Sequence, residues 1–250
     1  MVLPRKARIK CASGLYHVVI RGNGKQVIFE DDNDRVKFLS ILSKVRKELN
    51  FGLAAYCLMD NHVHMIIHDV NNELELIMKK IECSYSYHLN SKYTRSGHVF
   101  QDRYKSAVIE NDSYFMSAIR YIHMNPENAG ICSHDTYRWS SHGAYIKNAQ
   151  NDEVRSALDI MGGVEGYLLY MRKTDDEKHL EISDEGKRFL NDDEARVLAK
   201  RALGMSDLSE IKGFDKMIRN EQIKKLKDVG LSDRKIERLT GISRDIVRRA

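Results

Sequence analysis

The stretch Met59-Asp60-Asn61-His62-Val63-His64-Met65-Ile66-Ile67 decides how this chain is read. Two histidines one residue apart head an apolar run rich in branched side chains, the composition of a buried β-strand. Side chains alternate faces along a strand, so His62 and His64 share one face while Val63 and Met65 take the other. Strand rise puts the two histidine Cα atoms roughly 7 Å apart, within reach of one divalent ion. The competing reading is a pair of strand histidines satisfied by hydrogen bonds, and the stretch alone leaves both open.

Composition bounds the rest. A chain of 250 residues is long enough for one large domain or two smaller ones. Apolar content of 42% with 31% charged side chains describes an ordinary globular protein, and 2 prolines with 15 glycines argue against long low-complexity segments. No apolar run approaches the ~20 residues of a membrane span, and Met1 to Lys10 lacks the apolar core of a signal peptide. Cys11, Cys57, Cys83 and Cys132 show no CxxC spacing. They read as reduced thiols, so a cytoplasmic protein without a membrane partner is expected. The net charge of +5 is unevenly spread: residues 1–150 carry 20 basic and 15 acidic side chains, 151–200 carry 8 and 13, and 201–250 carry 13 and 8. Two basic segments around an acidic one point to a polyanion such as nucleic acid, although a charged helical surface gives similar counts.

Working outward, the basic arm holding Arg5, Lys6 and Arg8 reads either as a phosphate-tracking tail or as a solvated terminus. Leu15 to Arg21 has the β-branched content of a first strand, closed by Gly22-Asn23-Gly24. Asp31 to Leu49 reads as a helix with Val36, Phe38, Leu39, Leu42 and Val45 on one face. Phe51 to Met59 and His62 to His68 follow as a hairpin linked by Asp60-Asn61. Glu73 to Asn90 is a second helix, with Leu74, Leu76, Ile77, Ile81, Tyr85 and Leu89 turned inward. Arg103 to Glu110 is a fourth strand, and a helix from about Ser113 to Met124 stops near Asn125-Pro126. The order β-α-β-β-α-β-α predicts a ferredoxin-like α+β sandwich, an antiparallel sheet with helices on one face, followed by an all-α C-terminal region. Boundaries are expected at 1–150 for the first domain, 151–205 for a helical and acidic connector, and 206–250 for a last helical domain.

Tyr121 and Asn125 fall at i and i+4 on the predicted last helix of the first domain, on one face. If that face covers the histidine strand, His62, His64 and the Asn125 amide oxygen could hold Mg²⁺ or Mn²⁺ with positions left for phosphate oxygens. The Tyr121 hydroxyl could then attack phosphorus, with Arg120, Lys105 and the metal favouring the phenolate. Tyr114, Tyr104 and Tyr16 are rival tyrosines, and Asn125 could equally be a helix C-cap.

These residues resemble a known family. His62-Val63-His64 is similar to the His-hydrophobe-His motif of single-tyrosine transposases of the insertion-sequence type. Arg120-Tyr121-Ile122-His123-Met124-Asn125-Pro126, with Ala129-Gly130, resembles the tyrosine-bearing helix of their branch associated with repetitive extragenic palindromes. Gly14-Leu15-Tyr16-His17-Val18 with Arg21-Gly22-Asn23, then Val99 to Ser106, then Trp139-Ser140-Ser141, fit in the same order. The resemblance spans roughly residues 5–147. It implies a metal-dependent enzyme that nicks and rejoins single-stranded DNA beside hairpins, leaving a 5′-phosphotyrosine and a free 3′-OH. Tyr121 is then the nucleophile, and His62 and His64 are metal ligands. Asn125 stands where mobile members usually carry glutamine, which keeps an amide oxygen on a shorter arm. Arg21, Arg103, Lys105 and Arg120 join the N-terminal arm as candidate DNA contacts. Mobile relatives commonly act as homodimers, and the palindrome-associated branch as monomers.

Leu231 to Arg244 has a helix-turn-helix cadence, with Gly241 at the turn and Ser243 opening a helix. Ser243, Arg244, Arg248 and Arg249 would meet phosphates or a major groove of duplex DNA; the plainer reading is a helical packing module with a solvated basic face. Two other functions stay in view. One is a domesticated protein that binds hairpin DNA without cleaving it. The other is a replication-initiation nickase, for which a second tyrosine at helical spacing would be expected.

Overall fold

The computed structural model describes residues 13–147, 151–173, 192–229 and 231–250. The basic arm with Arg5, Lys6 and Arg8 lies outside the described residues. The described residues divide into two compact units, the first up to residue 173 and the second from residue 192.

In the first unit the order is β1 (Leu15–Arg21), α1 (Asp32–Leu49), β2 (Gly52–Met59), β3 (His62–His68), α2 (Leu74–Lys92), β4 (Lys105–Val108) and α3 (Asp112–Asn128). Three further helices follow, α4 (His142–Ile146), α5 (Asp152–Met161) and α6 (Gly163–Met171). The strands form one antiparallel sheet in the order β2-β3-β1-β4, the ferredoxin-like arrangement that the hairpin at Asp60-Asn61 predicts. Register pairs His64 with Val19 and with Cys57, and His62 with Arg21 and with Met59. Partners directly opposite share a face. One face therefore carries His17, Val19, His62, His64, Cys57 and Ala107. The other carries Val18, Ile20, Leu58, Val63, Met65 and Ile67, all buried in the main core.

That core is closed by α1 and α2. Asp31 caps α1 through the Asp34 amide, with Asp34 completing a capping box, and Asn50 ends the helix in a left-handed conformation at φ 49°. Phe38, Leu42 and Val45 of α1 meet Ile77, Ile81, Tyr85 and Leu89 of α2, at the expected spacings. Val36 and Leu76, also expected inward, are solvent-exposed. Phe38 is fully buried edge-on to Phe29 and Tyr85 at 5.5 and 5.1 Å. Phe38→Ala is expected to cost about 3–5 kcal/mol, read as a lower midpoint in urea unfolding.

Two glycines are required by close approach. A Cβ on Gly22 would lie 2.2 Å from the Gln26 carbonyl oxygen, and Gly14, at φ +66°, would meet the Asp69 carbonyl at 2.7 Å. The outer edge of β2 is covered by the segment around Trp139: the Leu58 amide donates to the Trp139 carbonyl, and the Ser141 amide to that of Tyr56.

The opposite face, with the histidines, is covered by α3, which packs mainly on β2 and β3. This helix does not stop at Asn125-Pro126 as expected; Pro126 sits inside it and the helix runs to Asn128. Proline there removes only one amide in the final turn, and the Ala129, Gly130 and Ile131 amides still bond the carbonyls of Asn125, Glu127 and Pro126. The fourth strand is also shorter than expected, four residues rather than eight.

The segment expected as a connector is split between the units. Helices α5 and α6 belong to the first: Val154, Ala157, Leu158, Tyr167 and Met171 are buried, and α5 packs against β2. The apolar side of these helices is buried as a layer on the sheet. Helix α7 (Asp192–Leu203) belongs to the second unit, with α8 (Lys216–Asp228), α9 (Asp233–Thr240) and α10 (Arg244–Arg249). Ala195, Ala199, Leu208, Ile211, Ile223, Leu226, Ile236, Leu239 and Val247 form its core. On α8, Ile223 and Leu226 are buried, whereas Ile218 and Val229 are exposed.

Candidate active site

The two central strands, β3 and β1, bring three histidines together on the α3 face. His62 and His64 have ring centroids 4.9 Å apart, and His17 of β1 lies 5.4 Å from His64. Tyr121 of α3 stands edge-on over this group, 5.4 Å from His64 and 5.8 Å from His17. One helical turn on, the Asn125 Nδ2 donates to the Tyr121 carbonyl at 2.8 Å, and the Asn125 side chain also bonds the His62 ring. The four residues singled out from sequence thus converge, and Tyr16, Tyr104 and Tyr114 are buried elsewhere.

His17 is the addition that sequence reading lacks. It was legible only as one residue of the first strand, because its role depends on β1 pairing with β3 across 47 positions of chain. Its Nε2 lies 3.2 Å from His64 Nδ1. When His64 Nδ1–H donates to that nitrogen, His64 Nε2 is left as a ligand atom. His17 Nδ1 then carries its proton in the interior, where it has no hydrogen-bond partner. His62 Nδ1 is similarly engaged by Asn61 Oδ1 at 2.6 Å. Each candidate ligand ring therefore has one nitrogen fixed by a neighbour and the other turned to the site, the arrangement of metal-binding histidines.

Burial keeps these rings neutral. It lowers His17 to a pKa of about 3, and lowers His62 to about 4 with help from the Arg21 charge and against the Asn125 hydrogen bond. His64 is pushed well below its ordinary range by burial, then by His62, His17 and Arg21. Neutral imidazoles and an amide oxygen are a fitting donor set for a divalent cation. His17→Leu is expected to weaken Mn²⁺ binding by about 10–100-fold with the fold intact, measured by metal titration followed by electron paramagnetic resonance.

Neutral burial also sets an acid limit on stability. His17, His64 and His123, each lowered mainly by burial, are nearly inaccessible to solvent. The unfolded chain binds protons at these positions below pH 6.5 while the folded chain does not, so stability is lost as pH falls from 6.5 toward 3. For three such groups, the unfolding free energy of the chelator-treated protein should drop by about 3–4 kcal/mol between pH 6 and 5. Urea unfolding at the two pH values measures this directly.

The candidate DNA contacts separate. Arg21 and Lys105 share the histidine face by register, and Arg103 is exposed in the loop before β4. Arg120 does not belong with them. It is buried, 5% exposed, and its guanidinium donates to the Met171 and Lys173 carbonyls at the end of α6. Next to Tyr121 in sequence, it points about 100° around the helix, so it is neither a DNA contact nor a neighbour that activates the phenol. In the second unit Ser232 caps α9 through the Lys235 amide, and Gly241 turns the chain at φ +68°. Ser243 opens α10 without a side-chain cap bond, and Ser243, Arg244, Arg248 and Arg249 are exposed.

A ferredoxin-like sheet presenting a His-hydrophobe-His pair to a tyrosine on the overlying helix is the arrangement expected of a transposase-type protein. Residues 10–125 match the family model described as Transposase IS200 like. The match ends at Asn125. A solved structure of a REP-associated tyrosine transposase bound to a REP hairpin is similar in fold, with a TM-score of 0.50 and 16% identity over 59% of this chain and 86% of that one. A candidate transposase of Deinococcus radiodurans R1 is a more distant likeness, with a TM-score of 0.35 and 12% identity over 52% of this chain and 99% of that one. No curated protein matches the chain.

Proposed function

We propose that the first unit is a metal-dependent single-strand DNA nickase and strand transferase, with Tyr121 as nucleophile and His62, His64 and Asn125 as metal ligands. The observation that carries this reading is the packing of Tyr121 against His64, with Asn125 on His62, inside one chain. Bound there, Mg²⁺ or Mn²⁺ would supply Lewis-acid polarisation of the scissile phosphate and neutralise charge as it develops.

The chain's own residues do the rest. The Tyr121 phenol oxygen forms a bond to phosphorus as the bond from phosphorus to the 3′ oxygen breaks, giving a 5′-phosphotyrosine and a free 3′-OH. The phenol proton leaves as the new bond forms, and the 3′ oxygen takes one up. Lys105, on the same sheet face, favours the phenolate by its charge. Reversal by a 3′-OH restores the phosphodiester, so bond energy is kept for rejoining. Because α3 lies on its own sheet, a monomer suffices for this chemistry. Arg21, Arg103 and Lys105 would line the strand's path with phosphate-binding charge. DNA hairpins are the proposed substrate, as in the REP-hairpin complex of the similar structure. The second unit is proposed to bind duplex DNA through Ser243, Arg244, Arg248 and Arg249 in a helix-turn-helix.

The test is incubation of the full chain with labelled single-stranded hairpins and Mn²⁺, followed by a denaturing gel. A metal-dependent covalent protein–DNA adduct is expected. Tight hairpin binding with no adduct for any hairpin from flanking genomic DNA would overturn the enzyme reading in favour of a non-cleaving binder.

A further inference from the structure

A second group of metal-ligating side chains lies beyond the C-terminal end of α3, in the loop leading to α4. We propose that His134, Asp135 and His142 form a second metal site, of the zinc type, that fastens the end of the tyrosine helix to α4 and α6. One ligand atom from each residue falls within 4.8 Å of the other two, the only such trio of histidine, cysteine or carboxylate groups among the described residues. Asp135 Oδ1 is 3.0 Å from His142 Nε2 and 3.4 Å from His134 Nε2.

The surroundings of the three side chains are what a zinc site needs. Each histidine has its second nitrogen held: His134 Nδ1 by Glu127 Oε2 at 2.6 Å, and His142 Nδ1 by the Tyr167 hydroxyl at 2.5 Å. Such partners fix the tautomer and raise the basicity of the ligating nitrogen. In the tautomer whose Nδ1–H donates to Tyr167, the lone pair on His142 Nε2 faces the Asp135 carboxylate, and a cation between them would take the place of the Nε2–H hydrogen bond that the other tautomer makes. His142 is 1% exposed, and burial lowers its pKa, leaving the neutral ring that a metal takes. Asp135 is exposed, which gives the ion a route in. Two imidazole nitrogens and one carboxylate oxygen suit Zn²⁺ in a tetrahedron with one water, and suit Mg²⁺ poorly.

The ion would act at the end of a hydrogen-bonded chain. Tyr167 of α6 also bonds His123 Nδ1 at 2.8 Å, and His123 Nε2 bonds Ser141 Oγ at 2.8 Å. Ser141 in turn accepts from the Tyr56 amide of β2 at 2.9 Å. The protons along Tyr167, His123 and Ser141 can run in either sense, and an ion on His142 Nε2 selects one of them. His123 sits on α3 two residues after Tyr121. The site thus ties the nucleophile's helix to α6 and to the sheet without touching the reacting atoms; its role is structural.

The probe is Zn²⁺ alone, added to chelator-stripped full-length protein and counted by equilibrium dialysis with elemental analysis. H62Q/H64Q silences the first site. This variant should still bind a single equivalent of zinc, and adding H134Q/D135N should remove it. In the otherwise native chain, H134Q/D135N should lower the zinc count by the same single equivalent and reduce the zinc-induced rise in melting temperature. That comparison stands even where H62Q/H64Q does not fold. Co²⁺ in the second site should give intense tetrahedral visible bands that are lost with D135N. An unchanged zinc count in H134Q/D135N, with the circular dichroism of the native chain, overturns the proposal.

Discussion

Tyr121→Phe is expected to abolish the covalent protein–DNA adduct and to lower strand cleavage by roughly 10³-fold or more, with hairpin binding retained. The substitution removes one oxygen and leaves a ring that keeps its edge-on packing against His64 and His17. A half-buried ring exchanged for its near-isostere costs little stability, so a loss of activity reports chemistry rather than unfolding. Among the described residues no other tyrosine packs against the His62 and His64 rings, and this leaves no substitute nucleophile on that face. Adduct formation is read on a denaturing gel and binding by mobility shift on the same hairpin. An adduct that persists in the phenylalanine variant would place the nucleophile elsewhere.

His64→Ala is expected to reduce Mn²⁺-stimulated cleavage by at least about 100-fold. His64 is the hinge of the constellation: it touches His62, His17 and Tyr121, and it is 4% exposed. Truncation removes a ligand and strands His17 Nε2 in the interior, so some stability is lost as well. His64→Gln separates the effects, since an amide refills the space and can accept or donate toward His17. Cleavage should stay low in both variants while the melting temperature recovers in the glutamine one. Measuring both across a Mn²⁺ titration distinguishes lost metal affinity, which excess metal rescues, from lost chemistry.

What is legible in the sequence follows the range of the interactions involved. The helices α1 and α2 and the β2–β3 hairpin were legible because their signals are local: apolar spacing in the helices and a two-residue link at Asp60-Asn61. Alternation alone placed His62 and His64 on one face, and helical spacing placed Asn125 beside Tyr121. Errors occurred where a neighbouring element overrode a local rule. Pro126 does not end α3, because the final turn tolerates a missing amide and the proline is buried. Arg120 looked like a DNA contact by charge and position, yet α6 lies where its guanidinium points and supplies carbonyl acceptors. The connector dissolved for the same reason: the apolar side of α5 packs against β2.

By itself, the sequence determined the element order, the ferredoxin-like topology, and which of the candidate residues share a face, His62 with His64 and Tyr121 with Asn125, since these follow from periods of 2 and 3.6 residues. Only the tertiary structure decided that His17 supports His64, that Arg120 is a buried tether, and that His134, Asp135 and His142 meet around one point. Each of these depends on which strands pair and which helix covers which face. Such contacts are set by burial of apolar surface over the whole unit, and no short window of sequence encodes them.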